Sequence, residues 1–347
     1  SRAVSFADAD RLAPAAVVFG CAGTELSAKE RDLYRAADPV GFILFARNID
    51  TPDQVRRLTA ELRDSVDRSD ALVMIDQEGG RVQRLRPPHW TDYPAMGKIG
   101  ARAVADPDGA AECVRLVYRL IADDLTALGI DVDCAPVLDL PAPDGHEIIG
   151  NRAFSDDPDT IARLGQACCD GLTAGGVMPV IKHLPGHGRA TADSHLELPH
   201  VGTERAVLEQ TDFAPFRALR HAPAGMTAHI VYDDLDPDGP ASASSEVVAG
   251  IIRKLIGFDG LLFSDDVCMK ALKGPLAARV ASVLDAGCDV ALHCDGDFDD
   301  MVAIAEACPR MRPESLDRLN AARPAAADSQ SIDRDAAKRR ISAFLDA

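Results

Sequence analysis

The sequence predicts a single-domain (β/α)8 barrel of the TIM type, an α/β fold. Short β-branched apolar runs alternate with longer amphipathic stretches, which is the pattern of βαβ units around a parallel sheet. Eight such runs occur in a chain of 347 residues, a length that suits one large barrel. An open doubly wound sheet is the alternative. It normally has a glycine-rich phosphate loop after its first strand, whereas the segment after Cys21 reads AGTELS.

The predicted strands are runs of six to nine mainly apolar residues. Continuous apolar character indicates strands that are buried on both faces, as in the parallel sheet of a barrel. The predicted strands cover residues 15–21, 40–46, 71–77, 130–138, 177–183, 224–230, 260–265 and 288–294.

Helical patterns lie between these strands, and a tail follows them. We expect the barrel domain to cover residues 1–308 and a tail to cover residues 309–347. The tail has a connector, RPAAADSQS, and a charged helix, DRDAAKRRISAFLDA, which we expect to pack on the barrel. An oligomer contact or a frayed end is the alternative for that helix. The helical patterns cover residues 54–67, 110–128, 159–174, 204–221, 246–256, 275–286 and 299–307.

Charge and cysteine content narrow the possible partners and compartment. The 37 basic and 55 acidic residues give a net charge of −18, which repels nucleic-acid phosphates and anionic membrane surfaces. Nine cysteines without a C-x-x-C pair indicate neither a disulfide framework nor a zinc ribbon. The sequence starts without a signal-peptide pattern and has no long apolar span. We therefore expect a cytoplasmic protein that binds neither nucleic acid nor membranes; its oligomeric state stays open.

Ionisable side chains follow five of the eight predicted strands. The carboxyl ends of barrel strands meet at one rim, where barrel enzymes place their active sites. A single aspartate there often caps a helix or fixes a turn. Five strands with such ends are harder to explain in this way, because buried charges are costly without a partner or a purpose. The residues concerned are Asp76, Asp139, Lys182, His183, His229, Asp265 and Asp266.

The densest polar segment is KHLPGHGRATADSH, residues 182–195. Its three histidines, His183, His187 and His195, are common zinc ligands, but their spacing matches no helical metal motif. Asp193 and His195 stand two residues apart and can point the same way. The carboxylate would then orient the imidazole as a general acid and base. A turn role for Asp193 remains possible.

Asp265 follows an apolar strand, so its carboxylate would emerge into the barrel mouth. A carboxylate there can attack an anomeric carbon and form a covalent glycosyl ester. Side chains alternate along a strand, so Asp266 should point away from the site that Asp265 faces. Its expected role is that of a helix cap or of a partner that supports the site.

Six motifs together resemble the glycoside hydrolase family 3 β-N-acetylglucosaminidases, in particular the single-domain bacterial enzymes that recycle cell-wall fragments. The resemblance covers residues 15–294 and implies a (β/α)8 barrel, in agreement with the strand count. The motifs are DQEGGRVQRL from Asp76, APVLDL from Ala135, IIGNRAFSDDP from Ile148, IKHLPGHG with DSH from Ile181, MTAHIVY from Met226 and GFDGLLFSDDVCM from Gly257.

The resemblance also implies roles for individual residues. Asp265 is similar to the catalytic nucleophile of the family, and His195 to its general acid and base, with Asp193 as partner. For Arg84 and Arg152 a structural ion pair at the rim is the alternative to sugar binding. The residues similar to the sugar-binding set are Asp76, Arg84, Arg152, Lys182 and His183.

The reaction implied by the resemblance is a two-step hydrolysis with retained configuration. Asp265 attacks the anomeric carbon while His195 protonates the leaving oxygen, and water activated by His195 then releases the sugar. The substrate would be terminal non-reducing N-acetylglucosamine on a peptidoglycan fragment such as GlcNAc-1,6-anhydro-MurNAc, with or without its peptide. We expect no metal ion or other cofactor. Phosphate as the acceptor in place of water is an open side hypothesis, since a neutral imidazole repels an anion less than a carboxylate does.

Two other classes of function remain possible from the residues. One is a metal-dependent barrel hydrolase that uses His183, His187, His195 and Asp265, which sensitivity to chelators would favour. The other is a sugar-binding protein that has kept the pocket but has no turnover. The filled nucleophile and acid/base positions argue against the second alternative.

Overall fold

A computed structural model describes residues 12–145, 147–193, 196–270, 272–324 and 331–347. Within these residues, eight parallel strands form a closed barrel in which each strand pairs with the next one along the chain and β8 pairs with β1. The predicted (β/α)8 fold is therefore confirmed. The strands are β1 Ala15–Phe19, β2 Pro39–Leu44, β3 Leu72–Ile75, β4 Val132–Asp133, β5 Met178–Leu184, β6 Ala224–Thr227, β7 Leu261–Asp266 and β8 Val290–His293.

Helices surround this barrel, and a π-helical segment, Glu246–Ile256, precedes β7. Capping explains where several of them begin: Ser27 and Glu30 form a reciprocal capping box at α1, and Thr51 caps α2 with Pro52 next. The helices are α1 Ala28–Ala37, α2 Pro52–Val66, α3 Met96–Gly100, α4 Pro107–Thr126, α5 Pro158–Ala174, α6 Arg205–Gln210, α7 Phe213–Ala218, α8 Leu276–Ala286, α9 Phe298–Ala307, α10 Pro313–Ala322 and α11 Arg334–Asp346.

Several helical regions differ from the prediction, and α3 and α10 were among the helices not predicted. The pattern over residues 204–221 predicted one helix, but the chain forms α6 and α7. Pro215 has no N–H for the carbonyl of Thr211 four residues earlier, so a continuous helix is interrupted there. Helix α1 was missed, because only Glu30 and Tyr34 of its ten residues are buried and its apolar periodicity is weak.

The fourth strand is much shorter than the predicted run over residues 130–138. Its regular ladder covers only Val132–Asp133, because Pro136 has no N–H to donate. The chain still follows β5, since the Lys182 N–H donates to the Pro136 carbonyl over 3.1 Å. In β5 the peptide bond between Lys182 and His183 is cis.

The barrel strands are buried along their length, and their carboxyl ends meet at one rim. The C-terminal helix α11 contacts α4, where Arg334 pairs with Asp123 over 2.5 Å and with Asp124 over 2.7 Å. In the described part of the chain, no helix combines the length and apolar character needed to cross a membrane.

Candidate active site

A cavity of about 240 Å³ opens at the carboxyl ends of the barrel strands. Its lining includes apolar residues such as Phe45, Met226, Met269 and Leu292. It also includes charged groups from four parts of the chain that are distant in sequence. These groups include six residues that the sequence predicted for the site, namely Asp76, Arg84, Arg152, Lys182, His183 and Asp265.

Four ion pairs join the charged residues on one wall of this cavity. Lys182 Nζ lies 3.0 Å from Asp76 Oδ1 and 2.7 Å from Glu78 Oε1. Arg152 bonds both oxygens of Glu78, at 2.9 Å each. Arg84 lies farther from its partner, with its Nη2 3.4 Å from Asp76 Oδ2. Both arginines therefore make the structural ion pairs considered above, and both also line the cavity.

Mutual pairing keeps these groups charged although they are buried. Burial by itself would raise the pKa of Asp76 and of Glu78, but Lys182 and an arginine beside each carboxylate outweigh it and hold both pKa values below their ordinary range. Burial would lower the pKa of Lys182, yet the two carboxylates raise it. The wall thus presents a fixed array of donors and acceptors, which suits the hydroxyl groups of a sugar.

His183 is oriented by Asp139 on the neighbouring strand end. Its Nδ1 lies 2.7 Å from Asp139 Oδ2, and since a carboxylate only accepts, Nδ1 carries the proton. The other oxygen of Asp139 accepts the N–H groups of His183 and His187 over 3.1 Å and 2.8 Å. Asp139 itself is fully buried. Its role is to hold the segment of residues 183–187 against the barrel.

His187 lies beside His183 in the cavity wall, with the two ring centroids 5.6 Å apart. Burial and the nearby His183 lower the pKa of His187 to about 4, although Asp139 and Asp265 oppose the shift. The imidazole is therefore neutral at neutral pH. It adds a polar but uncharged group to the cavity.

Asp265 lies at the carboxyl end of β7 and is nearly buried. Its N–H donates to Thr227 Oγ1 over 3.3 Å, and its Oδ1 accepts the N–H of Asp266 over 2.8 Å. The Oδ1 atom of Asp266 accepts the N–H groups of Cys268 and Cys294 over 3.0 Å and 3.2 Å. Asp266 thus joins the loops after β7 and β8, a supporting position, but it also lines the cavity beside Asp265 and does not point away from it as strand alternation predicted.

The structure describes Asp193, which is one residue of the predicted acid/base pair. His195 lies outside the residues that the structure describes. Asp193 is part-exposed, and its carbonyl accepts the N–H groups of Leu196 over 3.0 Å and Glu197 over 3.1 Å. The start of the same loop is anchored to α7, because Arg189 pairs with Asp212 over 2.8 Å.

His229 was also predicted at the rim, but the structure gives it a supporting position. It is fully buried, its Nε2 donates to the carbonyl of Asp266 over 2.8 Å and its Nδ1 bonds the hydroxyl of Ser242. Both ring nitrogens are therefore engaged inside the protein.

Sequence reasoning missed Glu78 and did not include His187 in the sugar-binding set. Glu78 stands in the predicted loop after β3, where a glutamate is ordinarily exposed. The signal that could have found it is its place in DQEGG, beside Asp76 and two glycines that turn the chain back. Both of these glycines have positive φ, and a Cβ atom at either position would collide with Pro94 or Ala95.

A metal centre built from the cavity residues was an alternative. Within the described residues, one group of three or more ligand side chains is close enough to share an ion, and it consists of Cys268, His293 and Asp295 rather than the proposed residues. His183, His187 and Asp265 do not form such a group by themselves, and His195 lies outside the described part of the chain.

Comparison with known proteins gives matches over most of the chain. Residues 21–319 match the Glycosyl hydrolase family 3 N terminal domain. A β-hexosaminidase from Alkalilimnicola ehrlichii is 40% identical over 283 residues, which make up 80% of each protein. The crystal structure of NagZ from Neisseria gonorrhoeae with N-trifluoroacetyl-D-glucosamine superposes with a TM-score of 0.87 at 33% identity, over 96% of this chain and 99% of that one. A family 3 β-N-acetylglucosaminidase from Paenibacillus sp. superposes with a TM-score of 0.76 at 32% identity, over 96% of this chain and 62% of the other.

Proposed function

Since the chain belongs to glycosyl hydrolase family 3 and is a glycoside hydrolase of the β-hexosaminidase type, we propose that it is a retaining exo-β-N-acetylglucosaminidase. Its substrate is terminal non-reducing β-linked N-acetylglucosamine on peptidoglycan fragments, GlcNAc-1,6-anhydro-MurNAc with or without its peptide. The observation that carries the proposal is the nearly buried Asp265 in a cavity that the ion-paired Asp76, Lys182 and Arg152 also line.

The dimensions of the cavity support cleavage of one terminal sugar. Its volume of about 240 Å³ is below the range of about 300–1,000 Å³ that pockets for drug-sized ligands have. A single monosaccharide unit is of the appropriate size. The charged lining residues can bond the hydroxyls of that unit, while apolar lining residues such as Met226 and Leu292 can contact the less polar face of the ring.

The first chemical step forms a glycosyl ester on Asp265. One oxygen of its carboxylate is held by the N–H of Asp266, and the other forms a bond to the anomeric carbon. The bond from that carbon to the leaving oxygen breaks, and its electron pair accepts a proton from His195. Asp193 orients His195 in this proposal.

The second step releases the sugar and regenerates the enzyme. Neutral His195 takes a proton from water, and the water oxygen attacks the anomeric carbon as the bond to Asp265 breaks. Two displacements at one carbon retain its configuration. Throughout, the proposed roles of Asp76, Arg84, Arg152, Lys182 and His183 are to bind and orient the sugar.

We place the enzyme in the cytoplasm. All nine cysteines are free thiols, and seven of them are buried. Free buried thiols without disulfides are typical of proteins in a reducing compartment. A cytoplasmic enzyme would act on wall fragments after they have been taken up.

The first test compares two aryl glycosides that differ only at the 2-position, the β-N-acetylglucosaminide and the β-glucoside. We expect cleavage of the N-acetyl sugar alone, at initial rates that added chelator does not change, and release of N-acetylglucosamine with the β configuration. The disaccharide GlcNAc-1,6-anhydro-MurNAc, with and without peptide, is then assayed in the same way.

Four results would contradict the proposal. An α product would exclude retention, and equal cleavage of both sugars would exclude the N-acetyl specificity. Hydrolysis that stops at once with chelator and returns with metal would favour the metal-dependent hydrolase. Binding of N-acetylglucosamine without any turnover would favour the sugar-binding protein.

A further inference from the structure

Three metal-binding side chains meet beside the rim of the barrel, outside the proposed sugar site. They are Cys268 in the loop after β7, His293 at the end of β8 and Asp295 just beyond it. One ligand atom from each lies within 4.8 Å of the other two. Thiolate, imidazole and carboxylate are the three ligand types that zinc accepts in proteins.

The imidazole of His293 has no hydrogen-bond partner although it is fully buried. Neither Nδ1 nor Nε2 makes a hydrogen bond. Nε2 lies 3.3 Å from Asp295 Oδ1, but without the geometry of a hydrogen bond. A buried ring with two unsatisfied nitrogens is costly, so its environment requires an explanation.

The separation between these two atoms fits ligands of one ion. Zinc binds nitrogen and carboxylate oxygen at about 2.0–2.2 Å in tetrahedral geometry, which separates neighbouring ligand atoms by roughly 3.3–3.5 Å. The 3.3 Å between His293 Nε2 and Asp295 Oδ1 is at that distance. A direct ion pair between a protonated ring and the carboxylate is the competing explanation.

The backbone around the cluster holds Cys268 close to the end of β8. Asp266 accepts the N–H groups of both Cys268 and Cys294, and the N–H of Val267 donates to the carbonyl of Leu292 over 2.9 Å. These bonds connect the two loops on either side of the cluster. Two of its three ligands therefore come from one fixed corner of the rim, and Asp295 is exposed enough to let an ion enter.

The local charge also favours a cation. The carboxylate of Asp300 also approaches the cluster, with its Oδ2 3.9 Å from His293 Nε2. A divalent cation bound by the cluster would therefore lie close to two carboxylates, those of Asp295 and Asp300, and their charge favours its binding.

We propose that Cys268 Sγ, His293 Nε2 and the Asp295 carboxylate bind one zinc ion, with water in the fourth position. On binding, the thiol loses its proton to solvent and the sulfur forms the bond to zinc, so one proton is released per ion. The ion ties the loop that follows Asp265 to the loop after β8 and stabilises this corner of the rim. The site is separate from the sugar cavity, and the proposal does not depend on the proposed function.

The test measures metal directly. The full-length protein is stripped with chelator, loaded with Zn²⁺ or Co²⁺ and passed through a desalting column. We expect one equivalent of zinc, and with Co²⁺ a near-ultraviolet thiolate-to-cobalt absorption band. The variants Cys268→Ser and Asp295→Asn should lower zinc affinity at least about 100-fold. Cys268→Ser should also lose the band, and zinc should raise its Tm less than that of the wild type.

Cys308→Ser is the matched control, because Cys308 is a part-buried free thiol at the end of α9. We expect it to keep both the bound zinc and the cobalt band. The proposal is overturned if the wild type retains no zinc, or if the Cys268 and Asp295 variants bind zinc as the wild type does. The same hydrolysis assay, run on each variant, reports on the proposed function independently of metal content.

Discussion

Lys182 Nζ lies 2.7 Å from Glu78 Oε1, and the two side chains are only 2% and 3% exposed. The contact joins β5 to a short antiparallel hairpin after β3, in which Gln77 pairs with Gln83 and Gly79 with Val82, so two distant parts of the chain form one wall of the cavity. Removing one partner of a buried pair leaves an uncompensated charge, which is strongly destabilising. The pair therefore determines both the stability of the rim and the shape of the proposed sugar site.

Glu78→Gln keeps the shape of the side chain but removes its charge from Lys182 and Arg152. We expect a loss of about 3–5 kcal/mol in the free energy of unfolding and a KM at least about tenfold higher. Denaturant unfolding and steady-state kinetics measure the two effects. Glu112→Gln is the control, since Glu112 pairs with Arg115 on the half-exposed surface of α4 and should cost about 0.5 kcal/mol or less. Equal stability of both variants would show that the buried pair contributes little.

Asp265→Asn removes the proposed nucleophile with little change in volume. We expect kcat to fall at least about 10³-fold, while the affinity for N-acetylglucosamine, measured by calorimetry, changes little. Asp259→Asn, at an exposed carboxylate that pairs with His221, should keep full activity. Substantial residual turnover in the Asp265 variant would rule out its role as nucleophile.

His195→Ala tests the proposed acid role by varying the leaving group. An activated aryl group needs little protonation as it departs, whereas the sugar of a disaccharide needs a proton. We therefore expect a much smaller loss of kcat/KM with the aryl glycoside than with the disaccharide. Equal losses on both substrates would argue against proton donation by His195.

His187 should make stability depend on pH. Its pKa in the folded protein is about 4, against an ordinary 6.5 that it regains on unfolding, so the unfolded chain binds more protons between these values. The stability that neutral His187 contributes to the folded protein is fully present above pH 6.5 and is lost as the pH falls. The free energy of unfolding should therefore decrease by about 2 kcal/mol between pH 7 and pH 5. Urea unfolding at the two pH values measures it in the wild type and in His187→Gln. We expect the variant to lose correspondingly less stability, and an equal pH dependence in both would contradict the assigned pKa.

The order of the elements could be read from the sequence because it depends on local patterns. Eight apolar runs predicted the eight strands of the barrel, and the polar residues that follow them predicted Asp76, Lys182 and Asp265 at one rim. The exceptions came from single prolines that have no N–H to donate. Pro136 shortened β4, and Pro215 divided the helix predicted over residues 204–221. The boundary at residue 308 and the acid/base role of His195 stay predictions.

The sequence by itself determined the barrel, the rim and the chemical type of the candidate site, because strand periodicity and the ends of strands are local properties. Only the tertiary structure decided which charges pair. Glu78 faces Lys182 and Arg152, Asp139 fixes His183, His229 is a supporting residue, and Cys268 meets His293. Such pairings depend on distances between chain segments that are far apart in sequence, and closure of the barrel sets those distances.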